Sequence, residues 1–396
     1  MSSERMLPYG RQTIEDDDLA AVAAALRSDF LTTGPLVEEF EKQFAAASGA
    51  AHAVACNSGT AALHLAAMGS RLGPGDTAIV PTLTFLASAN AIRMTGAEVF
   101  FADVDPDSGL LTEATFEEAI AAAEKYRRAI KAAVPVHLNG RICDMRSLAN
   151  IAKKHGIALT EDACHALGVP SVGANEYSDF ACFSTHPVKA IATGEGGVVT
   201  TNDKAAAQRM RKLRSHGMVH AAEELQQRDE GFENGEKRPW YYEMPEIGWN
   251  YRMPDILCAL GISQLKKVDR FIKRREEIAR LYDRLLAPLA PALKPAPRGN
   301  DPHGLHLYAV LIDFEQLGTT RSKFMNALRA ANIGTQVHYF PVHRQPYYRD
   351  RYGERTLPGA DAYYSRCLSI PLYPSMTDED VSFVASTLSK LCGKEI

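Results

Sequence analysis

Three short segments of the sequence carry residue types that could do chemistry together. The first is Asn57-Ser58-Gly59-Thr60-Ala61-Ala62, directly after an apolar run and opening a helical pattern. A glycine there lets backbone amides approach an anion, the hydroxyls of Ser58 and Thr60 add donors, and the helix N-terminus supplies partial positive charge. This is a phosphate seat in outline, although an ordinary strand-to-helix turn capped by Asn or Ser has the same residues. The second is Leu159-Thr160-Glu161-Asp162-Ala163-Cys164-His165-Ala166-Leu167-Gly168. It sets Asp162 at the carboxyl end of a predicted strand, where α/β sheets bind ligands. A carboxylate there could pair with a cationic ring nitrogen and keep it protonated, and by itself it could equally cap a helix. The third is Phe183-Ser184-Thr185-His186-Pro187-Val188-Lys189, followed by Ala192-Thr193-Gly194-Glu195-Gly196-Gly197. A lysine just beyond a buried strand can be desolvated into a nucleophilic amine suited to imine formation. A surface lysine fits poorly, because Lys189 is the only Lys or Arg between Lys154 and Lys204.

The three elements reinforce one another. An anion seat, a carboxylate for a pyridinium and an amine for an aldehyde are the three handles of pyridoxal phosphate (PLP), whose cationic ring acts as an electron sink. No GxSxG elbow, Walker A loop, GxGxxG fingerprint or HExxH helix competes with that reading. His216 and His220 are four apart and His338 lies near His343, but no cysteine or carboxylate completes a metal set, so no metal site is expected.

Positioning these groups requires an alternation of strands and helices. Strands are expected at His52 to Cys56, Thr77 to Pro81, Glu98 to Ala102, Ala132 to Val136, Gly156 to Thr160, Phe180 to Phe183 and Gly197 to Thr201. Helices such as Ile14 to Ser28, Thr60 to Arg71 and Met145 to His155 lie among them. Apolar strands separated by helices imply an α/β fold with a mostly parallel sheet covered on both faces. The rhythm breaks at Ala222 to Tyr242, which reads as a surface loop. Pro254 then opens a long helical stretch to about Leu286. Beyond a Pro-rich boundary, strands (Leu305 to Asp313, Gly334 to Tyr339) and helices (Arg321 to Ala331, Thr377 to Leu391) form a smaller α+β domain. The expected organisation is an N-terminal arm (1–13), a large domain (14–252), a connecting helix (253–288) and a small C-terminal domain (289–396).

Composition narrows the setting. The 44 Lys+Arg against 48 Asp+Glu leave a net charge of −4, with no positive field to hold nucleic acid. Seven cysteines without a CxxC pair suit reduced thiols in a reducing, cytoplasmic compartment. No apolar run follows a basic start, so no secretory leader is expected. The stretch from Gln43 to Ser70 has no charged residue, but His52, Asn57, Ser58, Thr60 and His64 mark it as strand, turn and helix rather than a membrane span.

Over nearly its whole length the sequence resembles the DegT/DnrJ/EryC1/StrS family of PLP-dependent sugar aminotransferases, of PLP-dependent transferase fold type I (aspartate-aminotransferase-like). The likeness is carried by Phe30-Leu31-Thr32-Thr33-Gly34-Pro35, NSGTAAL, Pro81-Thr82-Leu83-Thr84-Phe85, EDACHALG, FSTHPVK with TGEGG, Arg214-Ser215-His216-Gly217 and Gly248-Trp249-Asn250-Tyr251-Arg252. Within the family, MLPYGRQTI, RSHGM and the run from Gly334 to Tyr348 are most similar to the C-4 aminotransferases of pseudaminic acid biosynthesis. That resemblance implies transfer of the amino group of L-glutamate to a UDP-linked 4-keto-6-deoxy-N-acetylhexosamine, giving UDP-4-amino-4,6-dideoxy-N-acetyl-β-L-altrosamine. Other nucleotide keto-sugars or keto-cyclitols remain open as substrates. The family's dehydratase branch replaces the lysine with histidine, so Lys189 argues against it.

The resemblance further implies roles. Lys189 would join the cofactor aldehyde and shuttle a proton, Asp162 would hold the pyridinium, and Phe85 would stack on the ring. His165 would lie near the ring's phenolic oxygen. Ser58, Gly59, Thr60 and Ser184 would bind the phosphate, joined across a homodimer interface by Asn250 of the partner subunit. Thr33 and Arg252 are substrate candidates by likeness. His338, Tyr339, Arg344 and Tyr347 combine cations and aromatics that suit a nucleotide diphosphate and a stacked base, or else an aromatic-rich domain contact. One departure is Thr185, where the family commonly has an aromatic residue.

Overall fold

The computed structural model describes residues 5–126, 128–298 and 304–394, so the first four residues of the expected arm lie outside it. Seven strands make the central sheet: β1 (His52–Cys56), β2 (Thr77–Pro81), β3 (Glu98–Ala102), β4 (Ile130–Ala133), β5 (Ala158–Asp162), β6 (Phe180–Ser184) and β7 (Gly197–Thr201). Their order is β1-β7-β6-β5-β4-β2-β3, with β7 antiparallel to both neighbours and every other pairing parallel. The carboxyl ends of β1, β2, β5 and β6 therefore share one edge with the amino end of β7.

Side chains alternate across each strand, so one strand feeds two cores. In β1, Val54 and Cys56 pack with Leu63 and Leu65 of the helix Gly59–Gly69, while Ala53 and Ala55 pack with Phe40 and Phe44 of the helix Pro35–Ser48. Helices on both faces leave these strands almost fully buried, which is why they read as continuous apolar runs.

Two strands of the central sheet start away from their expected positions, and in the second sheet the strand expected at Leu305 to Asp313 is confined to Tyr308–Ile312. Gly156 is the left-handed cap of the helix Met145–His155 (φ 65°), so β5 cannot begin before Ala158. With that shift β5 ends on Asp162. Strand β4 runs from Ile130 rather than Ala132, and Val136 keeps a single bridge to Asp162. The segment expected as a loop holds a one-turn helix and a two-residue hairpin, β8 (Phe232–Glu233) with β9 (Glu236–Lys237). Glu243 anchors it by accepting the amides of Gln226 and Gln227 at 2.7 and 2.8 Å.

The stretch expected as one connecting helix over 253–288 is two, Asp255–Leu265 and Val268–Leu286. The break falls at Lys267, whose buried ammonium meets Asp17 at 2.5 Å, Asp18 at 2.8 Å and Glu15 at 3.3 Å. Three carboxylates at the start of the helix Asp16–Leu26 thus fix the chain where it turns.

The second sheet holds β10 (Leu293–Pro295), β11 (Tyr308–Ile312) and β12 (Cys367–Ile370), all antiparallel. It packs on the helices Arg321–Ala330 and Asp378–Leu391, and on Ile278, Tyr282 and Leu286 of the long helix. The segment Gly334 to Tyr339 is not the strand expected. It keeps one bridge, Gln336 to Ser369, because the amide of Gly334 goes to Leu7 and that of Val337 to the side chain of Gln336. Leu7 also donates to Asn332 at 2.8 Å and Tyr9 accepts from Leu372 at 3.1 Å, so residues 7–9 are held against the second sheet and its core. Gly10 then comes up against Val188.

Candidate active site

At the shared sheet edge, β1 turns through Asn57 into the helix Gly59–Gly69. Ser58 is its N-cap, accepting the amide of Ala61 at 3.1 Å. Gly59 is demanded by close approach, since a Cβ there would lie 2.9 Å from that of Ser184 and 3.4 Å from the sulfur of Cys164. Gly197 of the glycine-rich turn is demanded in the same way, because a Cβ would lie 2.2 Å from the carbonyl oxygen of Ser58. The Asn57–Thr60 turn and the ends of β6 and β7 therefore close on one another, with backbone amides and hydroxyls converging at a helix N-terminus. Such a cradle takes an anion.

Asp162 ends β5 and is buried. One carboxylate oxygen accepts from the Ser88 hydroxyl at 2.6 Å and the other from the Cys164 amide at 3.2 Å. Ser88 is held in turn by Thr84 at 2.6 Å. Both donors orient the carboxylate and neither is a cation, an arrangement that suits a partner for a cationic ring nitrogen.

Lys189 stands on the turn after β6. The residue is half-buried but its amine is enclosed, and burial lowers its pKa against the raising influence of Cys164 and Asp162. The turn is pinned by the Thr185 and Thr193 hydroxyls at 2.5 Å, and by Lys189 N–H to His186 at 2.8 Å and Thr193 N–H to Thr185 at 2.8 Å. A threonine at 185 is thus accounted for by this hydroxyl pair. Beneath it, Arg275 donates to the Lys189 carbonyl at 3.2 Å.

His165 is buried beside this group. Its Nδ1 accepts the amide of Asn139 at 3.2 Å, and its Nε2 lies 3.2 Å from the Tyr339 hydroxyl. Burial, then the charges of Lys189 and His338, hold the imidazole neutral, with its pKa well below the ordinary value. Tyr339 also faces Phe85, ring centroids 6.0 Å apart, and Phe85 is largely exposed at the mouth of the site.

The structure thus brings together Ser58, Gly59, Thr60, Phe85, Asp162, His165, Ser184, Lys189 and Tyr339. It does not bring in every candidate. His338 is buried nearby but its Nδ1 is bonded to Ser369 at 2.8 Å, and burial, then Lys189, lower its pKa to about 3. The Arg344 guanidinium is paired with Asp361, and the Tyr347 hydroxyl accepts from Arg93 at 3.3 Å, so both serve contacts within the fold. Thr33 and Arg252 line a different cleft of about 500 Å³ with Glu41, Arg211 and Arg214. Asn250 is exposed, and only its carbonyl faces the seat, accepting from Asn57 Nδ2 at 3.2 Å. Ser88, Thr193 and Asp255 were not expected. Asp255 accepts the amides of Gly34 and Leu36 at 2.8 and 3.1 Å and so fixes Thr33. Among the described residues no group of three or more His, Cys, Asp or Glu could hold a metal ion, and no helix is long and apolar enough to cross a membrane.

The donor set of cradle, carboxylate and enclosed amine fits PLP, and comparison with known proteins agrees. The family model of the DegT/DnrJ/EryC1/StrS aminotransferases matches residues 12–389. The chain belongs to this family. It is 41% identical over 388 residues, 96% of this chain and 95% of the other, to the spore coat polysaccharide biosynthesis protein SpsC of Bacillus subtilis. Among solved structures it superposes on Helicobacter pylori PseC, an aminotransferase involved in pseudaminic acid biosynthesis. The TM-score is 0.87 at 28% identity over 98% of this chain and 100% of that one. It also matches NtdA of B. subtilis, solved with bound cofactor PMP, with a TM-score of 0.84 at 25% identity over 100% of this chain and 86% of that one. The chain is therefore a PLP-dependent sugar aminotransferase of fold type I.

Proposed function

We propose that this aminotransferase moves the amino group of L-glutamate to C-4 of a UDP-linked 4-keto-6-deoxy-N-acetylhexosamine, forming UDP-4-amino-4,6-dideoxy-N-acetyl-β-L-altrosamine. The observation that carries the reading is the grouping of Lys189, Asp162 and the Ser58–Thr60 cradle at one sheet edge, in a chain that superposes on PseC end to end. Bound PLP supplies an aldehyde that accepts the amino group and a ring that delocalises negative charge.

The residues divide the work. The amides and hydroxyls of Ser58, Gly59, Thr60 and Ser184 hold the phosphate. Asp162, oriented by Ser88, keeps the ring nitrogen protonated, and Phe85 packs on the ring face. Lys189 Nζ, whose pKa burial lowers, takes a proton from the glutamate α-carbon in one half-reaction and delivers one to the sugar C-4 in the other. Tyr339 closes the site on the side of His165.

The same reading places two chains in a homodimer with shared sites. Thr33 and Arg252 line a cleft that includes none of the Lys189 group, and the Asn250 side chain points into solvent. Leu26, Phe30, Leu31, Trp240 and Met244 are exposed apolar residues suited to burial between copies. Mixed dimers of Lys189→Ala and Asn250→Ala chains should recover activity that neither parent has. Seven unpaired cysteines suit the cytoplasm.

A second reading, amination of a different nucleotide keto-sugar at C-3 or C-4, is favoured by the 41% identity to SpsC, named for spore coat polysaccharide biosynthesis. Offering purified protein a panel of UDP- and dTDP-linked 3-keto and 4-keto sugars with glutamate, and solving the products by NMR, separates the two. A C-3 amine, or a product only from a dTDP sugar, would refute the first.

A further inference from the structure

We propose that Tyr339, and not His165, is the hydrogen-bond donor to the phenolic oxygen of the cofactor, and that His165 is a positioning residue acting through it. This rests on the reading of Lys189 and Asp162 as the cofactor's anchors and departs from the role that family likeness suggests for His165.

The assignment follows from counting protons. A neutral imidazole has one N–H and one lone pair. The lone pair of His165 is on Nδ1, because the Asn139 amide donates to it at 3.2 Å. The proton is then on Nε2, and its partner at 3.2 Å is the Tyr339 hydroxyl oxygen. Both nitrogens of His165 are thus engaged within the protein. Tyr339 receives the Nε2 proton, so its own hydroxyl proton is directed elsewhere, and no described residue accepts it.

Tyr339 is well placed to use that proton. Its ring stands between His165, whose ring it parallels at 6.1 Å and 24°, and Phe85 at 6.0 Å. Burial, then the charges of Asp162, Tyr9 and Cys164, keep the hydroxyl protonated, with its pKa well above the ordinary value. The titratable groups around the pair are Asp162, Cys164, Lys189, Tyr9, His306 and His338. His306 also packs against His165, with ring centroids 4.5 Å apart.

A donor to the phenolic oxygen favours its ionised form and lowers the pH at which the bound cofactor changes colour. The experiment is a pH titration of the visible absorbance of PLP-loaded protein for the parent, Tyr339→Phe, His165→Gln and the double variant. Tyr339→Phe should raise the midpoint by about one pH unit or more, of the order of one lost charge-assisted hydrogen bond. His165→Gln should raise it by less, and the double variant by no more than Tyr339→Phe alone. A midpoint unmoved by Tyr339→Phe, or equal and additive shifts from the two residues, would overturn the proposal. Borohydride reduction and peptide mapping on each protein keep this separate from the cofactor reading. A label on Lys189 with an unmoved midpoint defeats only the Tyr339 assignment, whereas no label on Lys189 in the parent defeats both.

Discussion

Gly59→Ala is the most direct physical test of the anion cradle. The added methyl would lie 2.9 Å from Ser184 Cβ, 3.2 Å from its hydroxyl and 3.4 Å from Cys164 Sγ, so about half an ångström must be absorbed. Ser184 ends a fully buried strand, and the helix carrying Gly59 is hemmed on its other side by Gly197 against Ser58. Overpacking of this kind costs about 1–3 kcal/mol, while alanine for glycine in a helix returns at most about 1 kcal/mol. The net expectation is a loss of about 1–2 kcal/mol in stability. The larger effect is on the ligand, because the amide of residue 59 is displaced from its anion. Charge-assisted hydrogen bonds contribute about 1.5–3 kcal/mol, so PLP should bind roughly tenfold to a hundredfold more weakly. Titrating the cofactor-free protein with PLP by absorbance, alongside thermal unfolding with and without PLP, reads both quantities. Unchanged PLP affinity, with the same thermal shift on adding it, would refute the placement of the phosphate at this turn.

Lys189→Ala should retain the fold but slow formation of the amino sugar by about a thousandfold or more, measured in single-turnover mixing of protein, PMP and keto-sugar. His64 is completely buried and burial lowers its pKa to about 4, whereas the unfolded chain protonates it near about 6.5. Between those values the unfolded state binds a proton that the fold refuses, so stability falls as the pH drops from about 6.5 to 4, by up to about 3 kcal/mol. Urea midpoints at pH 7 and pH 4.5 should diverge less in His64→Gln than in the parent. Glu41 is buried between Arg214 and Arg211, accepting the latter at 3.0 Å and the Ala55 amide at 3.0 Å. Glu41→Ala strands a nearly buried guanidinium and should cost about 3–5 kcal/mol in denaturant unfolding.

What could be seen in the sequence follows from the range of the forces involved. Strands β1, β2, β3 and β7 are visible at their true limits because burial on both faces makes each of them rich in apolar and β-branched residues between polar or glycine-containing flanks. Asp162 could be placed at a strand end although the strand itself was expected two residues early, because Gly156 serves the preceding helix rather than β5. The Gly334 to Tyr339 segment has the alternation of a strand, yet its amides are taken by Leu7, a partner 327 positions away, and by a side chain of its own. The same remoteness hides Ser88 under Asp162 and Asp255 under Thr33, since neither has a local pattern. Of the candidates drawn from aromatic and cationic character alone, Tyr339 reaches the site, while Arg344 and Tyr347 are spent on Asp361 and Arg93. Composition names what a residue can bind; only the fold decides which partner gets there first.

Residues 7–9 are bonded into the surroundings of the second sheet, and the next residue, Gly10, lies against Val188, one residue away from Lys189. Four residues of main chain, 7–10, thus run from the edge of the second sheet to the turn that presents the reactive amine.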